Sequence, residues 1–149
     1  MLNSTQTLLL QGLALTLTVT LCSLLLGMIA AVMLCYGTQS PTKCIRLSIN
    51  AYVTLIRGTP VLLQLFFVYY GLSQSTWIQH SILWPILKNP IGCGILTLSN
   101  NSMAYVTNLL TGIINNQPKE LKQAAKNMGF NHMQLYCSLQ LPYAAKLVV

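Results

Sequence analysis

Few side chains in this chain could take part in catalysis or metal binding. Its 149 residues include one acidic residue, Glu120, and two histidines, His80 and His132. A single carboxylate does not make an acid/base pair, and neither histidine has a partner at metal-ligand spacing. The five cysteines contain no C-x-x-C pair, so we interpret them as small apolar residues or free thiols. We therefore predict no catalytic residue, no metal site and no cofactor.

The composition is that of a membrane protein. Hydrophobic residues make up 54% of the sequence and charged residues 6%, whereas a soluble domain carries about 25% charged residues. The formal net charge is +7, but the basic residues lie at the ends of apolar runs, which is typical of membrane topology and not of a nucleic-acid-binding face. The sequence contains no G-x-x-x-x-G-K-[ST] phosphate-binding loop. We predict an all-α membrane protein that is not an enzyme and has no nucleic acid among its partners.

Several apolar runs are long enough to cross the ~30 Å hydrocarbon layer as helices. The predicted spans are residues 13–34, 58–77 and 90–114, and a fourth apolar run occupies residues 139–149. The positive-inside rule places the N-terminus outside, the 73–88 loop outside and the lysine-bearing segment 117–142 in the cytoplasm. These runs predict a single transmembrane helical bundle over residues 1–149.

The second span has two possible helix frames, which differ in the depth of Arg57. A helix from Leu47 to Gly71 would bury Arg57 near the middle of the membrane, at a cost of roughly several kcal/mol. A helix from Gly58 to Trp77 would leave Arg57 at the cytoplasmic boundary, with residues 47–56 as an interfacial elbow. We favour the second frame because a terminal arginine can extend its guanidinium to the interface.

Polar residues within the third span recur on one side of the predicted helix. Asn101, Tyr105, Asn108 and Gly112 follow one another at helical spacing. A polar stripe at membrane depth must face protein or water. The stripe could line a translocation path or join two helices by hydrogen bonds, and the sequence leaves both interpretations open.

The segment 117–142 reads QPKELKQAAKNMGFNHMQLYCSLQLP and predicts two short helices. In the first, from Leu121 to Met128, one apolar face includes Ala124 and Ala125. The three lysines fall on the opposite face, where we expect Lys122 to be an exposed charge. Such an amphipathic helix could lie on lipid headgroups, or it could dock a soluble partner.

A sharp corner is predicted between these two helices. Gly129 suits the left-handed residue that often follows a helix end. Asn131 can then cap the second helix, which we expect to end before Leu141-Pro142.

Two of these regions resemble the permease subunits of ABC importers. The first is similar to the family's cytoplasmic E-A-A loop, through Gln123-Ala124-Ala125, Gly129 and Leu141-Pro142. It departs from the family pattern at Gln123, where Glu is usual. The second resembles the R-G-T-P-x-x-x-Q-L element of the polar amino acid branch, through Arg57, Gly58, Thr59, Pro60, Gln64 and Leu65.

The third span resembles the N-S-x-A-Y element of the same family at residues 101–105. Downstream, the family usually has A-E and then R-G. Here Thr107-Asn108 and Thr111-Gly112 stand at those places. The substitutions remove an acid and a base from this part of the third span.

The resemblance extends from about residue 12 to residue 149 and implies a type I ABC importer permease fold in the bacterial inner membrane. It implies import of a polar amino acid of the histidine, arginine or glutamine type, and the stripe residues Asn101, Tyr105 and Asn108 are candidates to line the path. A second permease, identical or homologous, would complete that path, and membrane lipid would surround the two permeases. An extracytoplasmic substrate-binding protein would deliver the amino acid. A separate ATPase subunit would hydrolyse ATP and couple to Gln123, Ala124, Ala125 and Gly129.

Permeases of this type usually have about five spans, so we expect this chain to be truncated at its C-terminal end. That expectation leaves an alternative function open. The chain could be a non-transporting remnant or a membrane interaction scaffold.

Overall fold

The computed structural model describes residues 2–72, 79–80 and 84–148. Its elements are α1 (Leu2–Thr38), α2 (Lys43–Gly58), α3 (Val61–Phe66, extended by a π-helical segment Phe67–Leu72), α4 (Trp84–Leu87), α5 (Pro90–Asn115), α6 (Lys119–Asn127), α7 (His132–Leu135, extended by a π-helical segment Tyr136–Gln140) and α8 (Leu141–Val148). These residues contain no strand, and the all-α class is confirmed. Residues 73–78 and 81–83, which belong to the predicted 58–77 span and 73–88 loop, lie outside the described residues.

The first helix is longer than the span predicted for it. α1 has 37 residues, which corresponds to about 55 Å, because no proline interrupts the sequence on either side of residues 13–34. Most of its leucines are exposed. Its hydroxyl groups are satisfied locally, since Thr16 Oγ1 donates to the Gly12 carbonyl and Thr18 Oγ1 to the Ala14 carbonyl, both at 2.8 Å. The surface of α1 is therefore suited to contact with lipid.

By length and hydropathy, one helix of the described residues can cross a membrane by itself, over Thr5–Thr38. A second crossing is obtained if α2 and α3 are counted as one broken span. α5 is not among these candidates, although it is 26 residues long. Four asparagines, at positions 100, 101, 108 and 115, lower its mean hydropathy.

The chain bends by 102° between α2 and α3. The break falls at Thr59-Pro60, where Thr59 is extended (φ −104°, ψ 137°), as the residue before a proline prefers to be. The region is therefore neither one continuous helix from Leu47 to Gly71 nor a helix that begins at Gly58. Residues 43–58 form a regular helix, and the next helix starts at Val61.

The main packing contact is between α1 and α5. A Cβ atom at Gly27 would lie 2.8 Å from the Ser99 carbonyl oxygen and 2.8 Å from the Ser102 Cβ, so the two backbones approach closely there. Small residues commonly permit such crossings between membrane helices. Asn89 caps α5 by accepting a hydrogen bond from the Ile91 backbone N–H at 3.1 Å, and Pro90 occupies the first turn.

The buried cluster lies toward the C-terminal ends of α1 and α5. It joins these helices to the last part of the chain and consists of Cys35, Leu110, Ile114, Tyr136 and Ala144. The second short helix of the 117–142 segment does not end before Leu141-Pro142, as expected from the sequence. It continues through the π-helical segment into α8, in which Pro142 is the second residue.

Candidate functional site

A left-handed glycine forms the corner between α6 and α7. Gly129 has a φ of +80°, in the region that the sequence predicted for it. The Phe130 N–H donates to the Ala125 carbonyl at 3.1 Å, which is the six-to-one bond of a Schellman motif. A Cβ at Gly129 would meet no atom within 4 Å. The requirement for glycine is therefore one of backbone conformation and not of space.

A reciprocal capping box starts the second helix of the corner. The Asn131 side chain accepts from the His132 N–H at 2.7 Å. The Gln134 side chain in turn accepts from the Asn131 N–H at 3.0 Å. The N-cap role predicted for Asn131 is confirmed, and the box fixes the direction in which the chain leaves Gly129.

The apolar face of α6 is largely without a partner among the described residues. Of the residues predicted to share it, Ala125 is 3% exposed, but Ala124 is exposed and Met128 is 76% exposed. Gln123 is also exposed. Phe130 and Met133, on the other side of the corner, extend this exposed apolar surface. The predicted coupling residues Gln123, Ala124, Ala125 and Gly129 therefore lie together on α6 and at its end.

The expectation that Lys122 is an exposed charge is wrong. Its side chain is half-buried, and Nζ donates to the Ile114 carbonyl at 2.8 Å. That carbonyl belongs to the last turn of α5, where a cation is favourable. The carbonyl belongs to the preceding helix of the same chain, so the charge pattern of α6 alone could not reveal the contact.

Tyr136 attaches the 117–142 segment to α1, and Gln117 and Gln140 are in contact within the segment. The Tyr136 hydroxyl donates to the Val32 carbonyl of α1 at 2.7 Å, and the Tyr136 ring lies edge-on to Tyr36, with ring centroids 5.3 Å apart. Burial, with a smaller contribution from the Cys35 thiol beside it, raises the pKa of Tyr136. The hydroxyl therefore stays protonated and acts as a donor. The Gln117 Nε2 lies 3.5 Å from the Gln140 carbonyl.

The R-G-T-P-x-x-x-Q residues form the bend between α2 and α3. Gln64 Nε2 donates to the Ile56 carbonyl at 2.8 Å, to the Thr59 carbonyl at 3.1 Å and to Thr59 Oγ1 at 2.8 Å. The Thr59 hydroxyl in turn faces the Leu55 carbonyl at 3.1 Å. Pro60 ends α2, and Gly58 is exposed, with no atom within 4 Å of a Cβ placed there. These side chains satisfy the carbonyls that the break leaves free.

Arg57 of the same motif contacts the polar stripe of α5. Its guanidinium lies 5.3 Å from the centre of the Tyr105 ring, within the range of a cation–π contact. Tyr105 is ten residues before the end of α5 at Asn115, which is about 15 Å along the helix axis. Arg57 is thus beside the middle of α5 and not beside its end.

Most of the polar stripe of α5 is exposed, but Asn101 lies beside α1. Tyr105 and Asn108 are exposed. Asn108 lines an open cleft of about 460 Å³ together with Asn116 and Tyr143. Asn101 is half-buried and lines a smaller cavity of about 280 Å³ near Ser23. Asn101 therefore lies between α1 and α5, whereas Tyr105 and Asn108 lie on the exposed side of α5.

Other polar residues, which sequence reasoning missed, join the helices. Thr107 Oγ1 lies 3.4 Å from the Ala31 carbonyl, and the Thr38 and Thr111 hydroxyls are 3.3 Å apart. The Tyr52 hydroxyl donates to Asn100 Oδ1 and joins α2 to α5. The signal in the sequence was weak, because a threonine in a helix can also donate its hydroxyl hydrogen bond to a backbone carbonyl of the same helix.

The fold and the composition together define a class of protein. It is an all-α membrane protein in which a long apolar helix packs along a helix with a polar stripe, followed by a glycine-cornered helix pair. Within that class, the chain belongs to the family described as binding-protein-dependent transport system inner membrane component, whose model matches residues 23–149. The resemblance seen in the sequence is confirmed.

Relatives with curated functions are permease subunits. The arginine ABC transporter permease protein ArtM of Haemophilus influenzae is 36% identical over 136 residues, which cover 91% of this chain and 60% of ArtM. The octopine transport system permease protein OccM of Rhizobium radiobacter is 32% identical and covers 93% of this chain and 56% of OccM. The histidine/lysine/arginine/ornithine transport system permease protein HisM of Salmonella typhimurium is 30% identical and covers 93% of this chain and 59% of HisM. The chain thus spans about three fifths of the length of these relatives.

A solved structure has the same fold. The crystal structure of an amino acid ABC transporter with histidines superimposes with a TM-score of 0.75 at 28% identity, over 97% of this chain and 64% of that chain. This match confirms the ABC permease fold. Because the relatives are permease subunits, the prediction that the chain is not itself an enzyme is also confirmed.

Proposed function

We propose that the chain is a membrane-spanning permease subunit of an ABC importer and that it carries a polar amino acid. The family membership supports a role in binding-protein-dependent transport. The substrate class follows from the relatives, which are named for arginine, for octopine and for histidine, lysine, arginine and ornithine. A second permease subunit, an extracytoplasmic substrate-binding protein and a separate ATPase subunit complete the transporter.

The exposed corner at Gly129 is the observation that carries the coupling role. Its backbone is fixed by the Schellman bond at one side and by the Asn131 capping box at the other. Beside it lies an apolar surface that includes Ala124 and Met128, and no other described residue covers that surface. A rigid, apolar and exposed element can transmit a displacement from a soluble subunit, so we assign the docking of the ATPase to it.

The lipid-headgroup interpretation accounts less well for this element. A surface helix of that kind keeps its lysines free to face anionic lipid. Here Lys122 is directed inward, to the Ile114 carbonyl. The element is thereby attached to the end of α5, in a position from which movement of the corner would act on the long helices.

We assign the translocation path to the exposed side of α5. The amide groups of Asn101 and Asn108 and the hydroxyl of Tyr105 supply donors and acceptors for a polar substrate. The Arg57 guanidinium, placed over the Tyr105 ring, adds a cation that can attract the carboxylate of an amino acid. Because Tyr105 and Asn108 are exposed, this part of α5 is available to face a second permease subunit across the path.

The orientation follows from the distribution of charge. The N-terminus lies outside, and the 117–142 segment lies in the cytoplasm, where its lysines satisfy the positive-inside rule. In this orientation the binding protein and the ATPase subunit act at opposite ends of α5.

The test is transport by the reconstituted complex. The permease is co-expressed with its ATPase, second permease and binding protein, and ATP-dependent uptake of radiolabelled polar amino acids is measured in proteoliposomes. We expect uptake that disappears when the P-loop lysine of the ATPase subunit is replaced. An assembled complex that takes up none of these amino acids would contradict the proposal and favour the scaffold function.

A further inference from the structure

A tyrosine in the 117–142 segment is buried against α1 in a way that neither the coupling motif nor the path requires. Tyr136 is 3% exposed. Its hydroxyl donates to the Val32 carbonyl at 2.7 Å, across 104 residues of sequence. Its ring packs edge-on against Tyr36 of the same helix. One side chain thus holds α1 by a hydrogen bond and by an aromatic contact.

The position of Tyr136 in the segment is suited to the transfer of movement. It is the first residue of the π-helical segment Tyr136–Gln140, at the end of α7. The other end of that segment, Gln140, is buried and lies 3.5 Å from Gln117 Nε2 near the end of α5. The same five residues therefore contact α1 through Tyr136 and the chain just beyond the end of α5 through Gln140, and π-helical turns are frequent at functional sites.

Within the π-helical segment, the contact made by Gln140 is weaker than the contact made by Tyr136. The Gln117–Gln140 contact is at the limit of a hydrogen bond, and Gln117 Oε1 is buried without a partner among the described residues. The hydrogen bond of Tyr136 is short and its ring is enclosed. The π-helical segment is therefore held to α1 through Tyr136 more firmly than it is held to Gln117, while Lys122 holds α6 to α5.

We propose that Tyr136 is a positioning residue that passes movement of the docking corner to α1, through its hydroxyl on the Val32 carbonyl. This proposal rests on the coupling role assigned to the segment above. It predicts that the hydroxyl matters for the efficiency of coupling and not for the docking of the ATPase, because Tyr136 is buried and the docking surface is on α6.

The test compares Tyr136→Phe with Tyr52→Phe in the assembled transporter. Each change removes one hydroxyl that joins two helices, but Tyr52 joins α2 to α5 and does not contact the 117–142 segment. Three quantities are measured for each variant in proteoliposomes: the amount of ATPase that co-purifies, ATP hydrolysis and substrate uptake. For Tyr136→Phe we expect normal co-purification and a fall of about three- to tenfold in substrate transported per ATP hydrolysed, the factor that one lost hydrogen bond represents. Tyr52→Phe should leave this ratio unchanged.

The outcomes separate this proposal from the one on which it rests. If the parent complex transports but Tyr136→Phe keeps the parental ratio, Tyr136 has no role in coupling, even if the yield of complex falls. An equal loss of ratio in Tyr52→Phe would also overturn the assignment, since any helix contact would then suffice. A parent complex without ATP-dependent uptake would instead overturn the proposed function itself.

Discussion

Replacement of Gly129 by alanine should weaken binding of the ATPase subunit. Gly129 has a φ of +80°, and a left-handed conformation costs a residue with a Cβ about 1–2 kcal/mol. No steric cost adds to this strain, because a Cβ at this position would meet nothing within 4 Å. In the free permease the segment can relax out of the corner, and docking must restore it. The dissociation constant should therefore rise about 5- to 30-fold, the factor that corresponds to this energy.

The assay is a binding titration of the ATPase subunit against the permease in nanodiscs. Gly94→Ala is the matched control, because Gly94 lies in α5 with no left-handed φ and equally open space around its Cβ. Gly129→Asn should fall between the parent and Gly129→Ala, since asparagine tolerates this conformation better than other residues. If Gly129→Ala and Gly94→Ala bind the ATPase with equal affinity, docking does not depend on the corner and the reasoning fails. Lys122 is unsuitable as a control because it caps α5.

Three further predictions concern the path, the bend and the topology. Asn108→Leu should reduce uptake about five- to tenfold, the loss of one substrate hydrogen bond, with normal assembly; a loss of assembly in proportion to uptake would instead assign this residue to helix packing. Gln64→Met keeps the side-chain length but removes the three donated hydrogen bonds, so it should destabilise the purified subunit by about 1–3 kcal/mol, and an unchanged melting temperature in detergent would refute that role. In intact cells, with the native cysteines removed, a membrane-impermeant thiol reagent should label Gln79→Cys in preference to Gln123→Cys, and the reverse preference would invert every span.

Local signals in the sequence were sufficient for the corner. Gly129 and Asn131 were predictable because a left-handed turn and an N-cap each depend on one residue type at one position. The structure shows a local signal of the same kind at the start of α5, where the Asn89 cap is followed by Pro90. The family motifs identified the fold, which the comparison with solved structures then confirmed.

Contacts between distant segments were not predictable in the same way. The Gln64 side chain donates a hydrogen bond to the Ile56 carbonyl, eight residues earlier and across a bend. No periodic pattern in the sequence indicates such a contact. The inward direction of Lys122 depends on where α5 ends relative to α6. Tyr136 reaches Val32 only because α1 and α5 pack together. In each case the partner is a backbone carbonyl, which every residue has and which therefore leaves no mark on the sequence.

The arrangement of the second predicted span also required the structure. The two helix frames placed one helix at Leu47–Gly71 or at Gly58–Trp77, and neither contained a break. The observed break lies at Thr59-Pro60 and separates two helices bent by 102°. This geometry brings Arg57 over Tyr105, a contact that neither frame contained.

Cross-linking from Met128 tests the central claim, that the exposed face of α6 docks the ATPase subunit. Met128 is 76% exposed on α6, and Met33, which is 74% exposed on α1, provides a control of the same residue type and exposure. Each is replaced by cysteine in a background without native cysteines, labelled with a photoactivatable maleimide and irradiated in the assembled transporter. We predict a covalent product between permease and ATPase from Met128→Cys and none from Met33→Cys. Equal products from both positions, or a product from Met33→Cys alone, would contradict the assignment of this face to the ATPase.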